Sequence, residues 1–295
     1  MPLGCLCGLV GLLMTAGAGE PGTPSVWVED EAGSTGIFAL RHAPYPHPSR
    51  AEGFQRNDAS YPANPHYVDD SVALFVPRGY RPGPTVDLLY FFHGHGNSVR
   101  QALEQFDLRG QVLDSGRNVI LVFPEGPKNA ADSGLGKLED PGGLKRLTAE
   151  VLEVLKREGH VTSGALGRVI LSGHSGAYRG IALGLRHGGL EAHVSQVFLL
   201  DASYALLDDF AAWAARVPEG RLRSAFTDHL AGENDTLVNE LRQRGLRPVR
   251  RPEAEVTDEL LRQERLLFIH TPDRDHDGTV GLLERWLRTS GLPAR

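Results

Sequence analysis

The sequence predicts an α/β fold, a mostly parallel sheet covered on both faces by helices, on three observations. From residue 68 onward, short apolar runs alternate with stretches of helical period. Several of the runs, such as Val86-Asp87-Leu88-Leu89-Tyr90-Phe91-Phe92, are apolar at successive positions, the pattern of a strand buried on both faces. The length of 295 residues suits one α/β domain with a large sheet, and no internal repeat divides it.

Taken in order, residues 1–18 read as a signal peptide. The apolar stretch 3–15 is too short to span a bilayer, and Ala16-Gly17-Ala18 supplies the small-x-small pattern of a cleavage site near Ala18, although no Lys or Arg precedes the apolar run. The expectation is a secreted or periplasmic protein with no integral membrane span. Both cysteines, Cys5 and Cys7, fall in that segment, so the mature chain would hold no disulfide and no thiolate nucleophile. Residues 19–67 are rich in Pro, Gly, Tyr and His with little period, and read as an arm or loops over the domain. Residues 68–295 form the expected α/β domain.

Within it, the apolar runs predict strands at 71–77, 86–92, 118–124, 168–171, 194–200 and 265–269, with a weaker one at 222–226. Helices are predicted at 98–110, 142–158, 177–187, 206–215, 236–244 and 279–289. The second of these sets Leu144, Leu147, Val151, Val154 and Leu155 along one face. Net charge is -6 with a pI near 6.1, which supplies no basic field for nucleic acid or an anionic membrane. The expected partner is a small or neutral substrate.

The pentapeptide Gly173-His174-Ser175-Gly176-Ala177, directly after the run Arg168-Val169-Ile170-Leu171, has the form of a nucleophile elbow. A serine at the apex of a tight strand-to-helix turn needs small neighbours two residues away on each side, and Gly173 and Ala177 provide them. A serine hydroxyl is a weak nucleophile that needs a base, itself oriented by a carboxylate, and in an open α/β sheet these come from loops at the carboxyl ends of strands. Of the 12 histidines, His276 lies between the last predicted strand and the last helix, where such a base belongs. His270, at the strand end itself, is the more constrained alternative. At the end of an early buried strand, His93-Gly94-His95-Gly96-Asn97 forms a second glycine-rich turn. Its His95 amide is a candidate to share an oxyanion with the amide of Gly176, and the His93 side chain is expected to brace the loop.

With these three stations in this order, the chain resembles an α/β-hydrolase of the serine hydrolase superfamily. His93-Gly94-His95-Gly96 matches the oxyanion-loop motif, residues 173–177 the elbow, with Ala177 where Gly is commoner, and His276 the late histidine. The resemblance implies acyl transfer with no cofactor, acting on a small-molecule or neutral polymer-derived ester, with an amide or peptide bond as the alternative. It leaves the acid open. Asp201 ends the run Val197-Phe198-Leu199-Leu200, as in members that carry the acid after the sixth strand. Asp235 resembles the more frequent placement after the seventh, but follows a polar segment, Thr227-Asp228-His229. Asp201 is preferred.

One pattern competes for the same residues. Asp273, Asp275 and Asp277, followed by Gly278 and Glu284, have the D-x-D-x-D-G-x5-E spacing of a calcium loop. A single copy preceded by a strand-like run argues against it, but it defines an alternative reading, a non-catalytic calcium-binding protein on the same fold. Lys137, Leu138 and Glu139 lie in a loop that would overhang the substrate face or simply be solvated.

Overall fold

A computed structural model describes residues 27–295. The proposed signal peptide, its cleavage near Ala18, and Cys5 and Cys7 lie outside the described residues.

The strands, in chain order, are β1 (Val28–Glu29), β2 (Gly33–Ala39), β3 (Phe54–Arg56), β4 (Ala59–Tyr61), β5 (Ser71–Pro77), β6 (Val86–Phe92), β7 (Ile120–Pro124), β8 (Leu166–His174), β9 (Val194–Leu200), β10 (Arg221–Phe226), β11 (Val249–Pro252) and β12 (Leu266–His270). The helices are α1 (Ala63–His66), α2 (Val99–Gln105), α3 (Leu108–Asp114), α4 (Gly143–Arg157), α5 (Tyr178–His187), α6 (Leu207–Arg216), α7 (Ala231–Gln243), α8 (Asp258–Gln263) and α9 (Leu283–Arg288).

Ten of the strands form one sheet, in the order β1-β2-β5-β7-β6-β8-β9-β10-β12-β11. Pairing is parallel from β7 through β11, and antiparallel only where β1, β2 and β5 extend that edge. Because side chains alternate across a strand, Leu88 and Tyr90 of β6 enter the core beneath α4 to α7, while Leu89 and Phe91 enter the opposite core with Val112 of α3 and Trp286 of α9. Both faces are therefore covered, which is why β6 is buried at every position.

Several departures from the sequence expectation have local causes. The helix expected at 98–110 is two helices, because Asp107 takes a left-handed conformation (φ 43°) and caps α3 through Gly110 N. The segment 19–67, read as arm and loops, contributes β1 and β2 to the sheet and a separate β3-β4 hairpin. β11 was missed because an edge strand of Val249-Arg250-Arg251-Pro252 has no buried alternation to reveal it. β10 looked weak because of its arginines, yet it pairs on both sides within the parallel part of the sheet. Its Arg223 is wholly buried, and the guanidinium donates to the carbonyls of Trp286, Leu261 and Thr289 and to the Thr289 hydroxyl. Burial pulls its pKa down to about 9. The last helix is preceded by a 3-10 turn over Asp277–Leu282.

The topology positions the site. The chain runs from β6 to β7 on one side and returns to β8 on the other, so the carboxyl ends of β6 and β8 diverge into a crevice. The loop 93–97 leaves β6 there and Ser175 leaves β8.

Candidate active site

β8 ends at His174, and Ser175 takes a left-handed conformation, φ 56°, before a 3-10 turn (Ser175–Ala177) leads into α5. A non-glycine residue held there carries about 1–3 kcal/mol of strain, sustained by packing on every side. A Cβ on Gly173 would lie 2.5 Å from Ala177 Cβ, and one on Gly94 would lie 2.6 Å from Ser175 Cβ. The glycines are thus required by close approach, and the serine side chain is turned out of the sheet toward the β6 loop.

Asp201 follows β9, itself left-handed at φ 50°, and is completely buried. Its Oδ1 accepts from the Thr227 amide at 3.0 Å, and its Oδ2 accepts from the Thr227 hydroxyl at 2.9 Å and from His276 Nδ1 at 2.7 Å. Burial alone would raise its pKa, but the hydrogen bonds from His276 and Thr227 outweigh this and hold the carboxyl below its ordinary value. A carboxylate only accepts, so His276 carries its proton on Nδ1, and Nε2 of the neutral ring is left as the basic atom. Ser175 and His276 line the same cleft, of about 250 Å³. No hydrogen bond joins Ser175 Oγ to His276 directly; what the two share is the cleft.

The main chain of His276 is held from two sides, by His174 Nε2 at 3.1 Å and by the Thr279 hydroxyl at 2.8 Å, both donating to its carbonyl. His174 is buried beneath that loop, its ring 4.3 Å from the His276 ring and edge-on to Phe106. Burial, and then the neighbouring His276, lower its pKa to about 4. Between the ordinary value of 6.5 and about 4, the unfolded chain takes up a proton here that the folded chain refuses, so stability falls as pH falls through that window. The expected loss from this residue is about 3 kcal/mol by the bottom of the window. Urea unfolding at pH 7 and pH 4.5 should show a distinctly smaller acid loss for His174→Asn than for the wild type. An equal loss in both would refute the assignment.

The amides of His95 and Gly176 make no hydrogen bonds among the described residues, so both N–H groups are left without a partner. The His95 ring is fixed by its partners. Arg56 can only donate, so Nδ1 at 2.8 Å accepts, and Nε2 donates to Ser133 Oγ at 2.8 Å. Burial and then Arg56 lower its pKa, so the ring stays neutral. A Cβ on Gly176 would strike that ring at 2.5 Å, so the oxyanion loop and the elbow are in direct contact. His93 braces the loop from below, with Nδ1 at 2.7 Å from Gly94 O and Nε2 at 3.1 Å from the buried Glu125.

Other sequence candidates lie elsewhere. Asp235 is on α7, exposed and paired with Arg250, and does not meet His276. His270 pairs with Asp228 at 2.7 Å and stacks on Phe226. Lys137, Leu138 and Glu139 do not reach the cleft: Lys137 bonds to the Arg41 carbonyl, Leu138 is buried, and Glu139 forms a two-point pair with Arg179. The calcium-loop residues do not converge. Asp275 accepts from Gly278 N, Asp277 from Gln105, and Glu284 from Arg288. Among the described residues, the groups whose ligand atoms lie within 4.8 Å of one another are His174-His276-Asp277 and Asp201-His229-His276. Both are imidazole-rich, unlike the all-oxygen shell calcium takes.

Thr227, Tyr204, His229 and Gln105 also stand at or around the site, and no sequence motif marks them. The polar Thr227-Asp228-His229 counted against a strand end, whereas polar residues just past a buried strand are what a site at the carboxyl edge requires.

The sheet order, with a strand–turn–helix at Ser175, is that of the α/β-hydrolase fold. Among solved structures the chain is similar to a ferulic acid esterase, at 14% identity and a TM-score of 0.50 over 74% of this chain and 90% of that one. It is also similar to FphF, a fluorophosphonate-binding serine hydrolase of Staphylococcus aureus with substrate bound, at 9% identity and TM-score 0.49, over 90% of this chain and 99% of the other. The S-formylglutathione hydrolase FrmB of Staphylococcus aureus matches at 11% identity and TM-score 0.43, over 74% and 90%. No family model and no curated protein matches the sequence.

Proposed function

We propose that this protein is a serine hydrolase that cleaves a carboxylic ester through an acyl-enzyme. One observation carries the reading: a strained, outward-turned Ser175 shares a cleft with a histidine whose Nδ1 is anchored on a buried carboxylate. Ser175 Oγ attacks the carbonyl carbon while His276 Nε2 takes its proton. Asp201 keeps that ring in the productive tautomer and stabilises the imidazolium. The tetrahedral oxygen is received by the amides of His95 and Gly176, and His276 then returns the proton to the departing alcohol. Water repeats the sequence to release the acid.

The cleft walls are Gly, Ser, His, Asn97, Gln105 and Asp277, with no aliphatic side chain. Such walls suit a small acyl group and a polar alcohol better than a long hydrocarbon chain, which would gain no apolar contact there.

A fluorophosphonate probe tests the reading. The folded wild type is expected to be labelled on Ser175, and Ser175→Ala to take up none. An unlabelled wild type, or labelling that persists in Ser175→Ala, would rule it out.

A further inference from the structure

Among the described residues three large apolar side chains stand exposed, Val28, Val68 and Tyr204, and Tyr204 is the one beside the base. It lies in the loop between β9 and α6, its ring centroid 6.5 Å from that of His276 and the two planes close to perpendicular, at 82°. Its neighbours hold it there. Tyr178, the first residue of α5, packs against the core and stands 6.0 Å from Tyr204 between ring centroids. The His229 ring is 5.7 Å away, and its Nε2 lies 2.9 Å from the Tyr204 hydroxyl, while its Nδ1 is tied to Thr227 Oγ1 at 2.6 Å. With the hydroxyl engaged in this way, what Tyr204 has left to offer a ligand is the π surface of a ring already fixed in place.

We propose, resting on the serine-hydrolase reading above, that Tyr204 is a specificity-determining residue: with Tyr178 and His229 it forms an aromatic wall for the alcohol half of the ester, and the alcohol it selects carries a planar aromatic ring. The choice of half follows from the chemistry. His276 hands its proton to the departing oxygen across about 3 Å, so the group on that oxygen lies against the His276 ring and what adjoins it. One or two bonds further on, that group comes within reach of the exposed Tyr204 ring. The acyl half stays small and sits among the polar walls of the cleft, which Tyr178, Tyr204 and His229 do not line. A planar ring can meet Tyr204 offset or edge-on and gain from the complementary charge of face and edge, whereas a saturated ring of the same size gains contact alone.

The ratio of kcat/KM for benzyl acetate to that for cyclohexylmethyl acetate tests this. The acyl group and the departing CH₂–O are the same in both, and the saturated ring is the more apolar, so a merely hydrophobic contact would favour it. The wild type is expected to prefer benzyl acetate about fivefold, the size of an aromatic pairing beyond its buried area. In Tyr204→Leu the ratio should fall to one or below, while Tyr204→Phe, which keeps the ring and loses only the bond to His229, should retain most of it. Because each ratio is taken within one variant, a general loss of activity cancels. Benzyl alcohol and cyclohexylmethanol as inhibitors of the wild type give the same comparison with no variant, and benzyl alcohol should bind the more tightly. With Ser175 labelled by a fluorophosphonate, three results would overturn the wall and leave the serine-hydrolase reading intact: neither ester cleaved, a wild-type ratio at or below one, or a preference unchanged in Tyr204→Leu. A Tyr204-dependent preference for methyl phenylacetate over methyl cyclohexylacetate in its place would put the ring on the acyl half and overturn the assignment. An unlabelled wild type would overturn both readings.

Discussion

Replacing Ser175 with glycine is expected to remove hydrolysis, by about 10⁶-fold in kcat, while raising the stability of the fold by about 1 kcal/mol. The two outcomes have one cause. At φ 56° a serine Cβ is crowded by its own backbone, whereas glycine adopts this region freely. Part of the relief is offset by the extra freedom glycine has in the unfolded chain, so the gain is smaller than the full strain. In thermal unfolding the change corresponds to a rise of about 2 °C or more for a domain of this size. A glycine variant less stable than the wild type would mean that Ser175 is held without strain, and that the elbow stores nothing for reactivity.

Asp201→Asn is expected to lower kcat by about 10³- to 10⁴-fold with little change in KM or in fold. Asparagine tolerates the left-handed conformation at 201 (φ 50°) at least as well as aspartate, so the backbone should not move. The damage is in the protons. An amide has one accepting and one donating end, where the carboxylate accepts at both. Its NH₂ cannot face the Thr227 amide, a donor with no alternative, so it must turn to the side shared by the Thr227 hydroxyl and His276. The hydroxyl can rotate and accept. His276 can comply only by giving up its Nδ1 proton and carrying it on Nε2, and that ring can no longer take a proton from Ser175. A kcat within tenfold of wild type would exclude Asp201 as the orienting acid. Asp235→Asn, on an exposed α7 residue paired with Arg250, should leave kcat unchanged.

The legibility of the chain divides by distance along it. β5, β6 and β9 run over the residues expected from their apolar runs, because a strand buried on both faces cannot hide its composition. Elements with one face in solvent were less legible: β2 is interrupted by glycine, β11 is an edge of arginines, and α8 is too short to show a period. Arg223 is the clearest conflict, a charge in a core strand whose two terminal guanidinium nitrogens donate to groups far along the chain while its buried Nε has no partner.

The site divides in the same way. By itself the sequence determined the alternation that forces a parallel sheet with covered faces, and the small residues that permit a turn as tight as the one at Ser175. Both are interactions between near neighbours, written in consecutive side chains. Only the tertiary structure decided which carboxylate stands behind His276. Asp201 and His276 are 75 residues apart and meet at 2.7 Å because β9, β10 and β12 pair in parallel and bring their carboxyl ends to one edge of the sheet. The same pairing sets Thr227, His229 and Tyr204 beside them, while Asp235 is carried outward on α7. Strand order is a property of which faces and edges pair across the whole chain, and no local window of residues contains it.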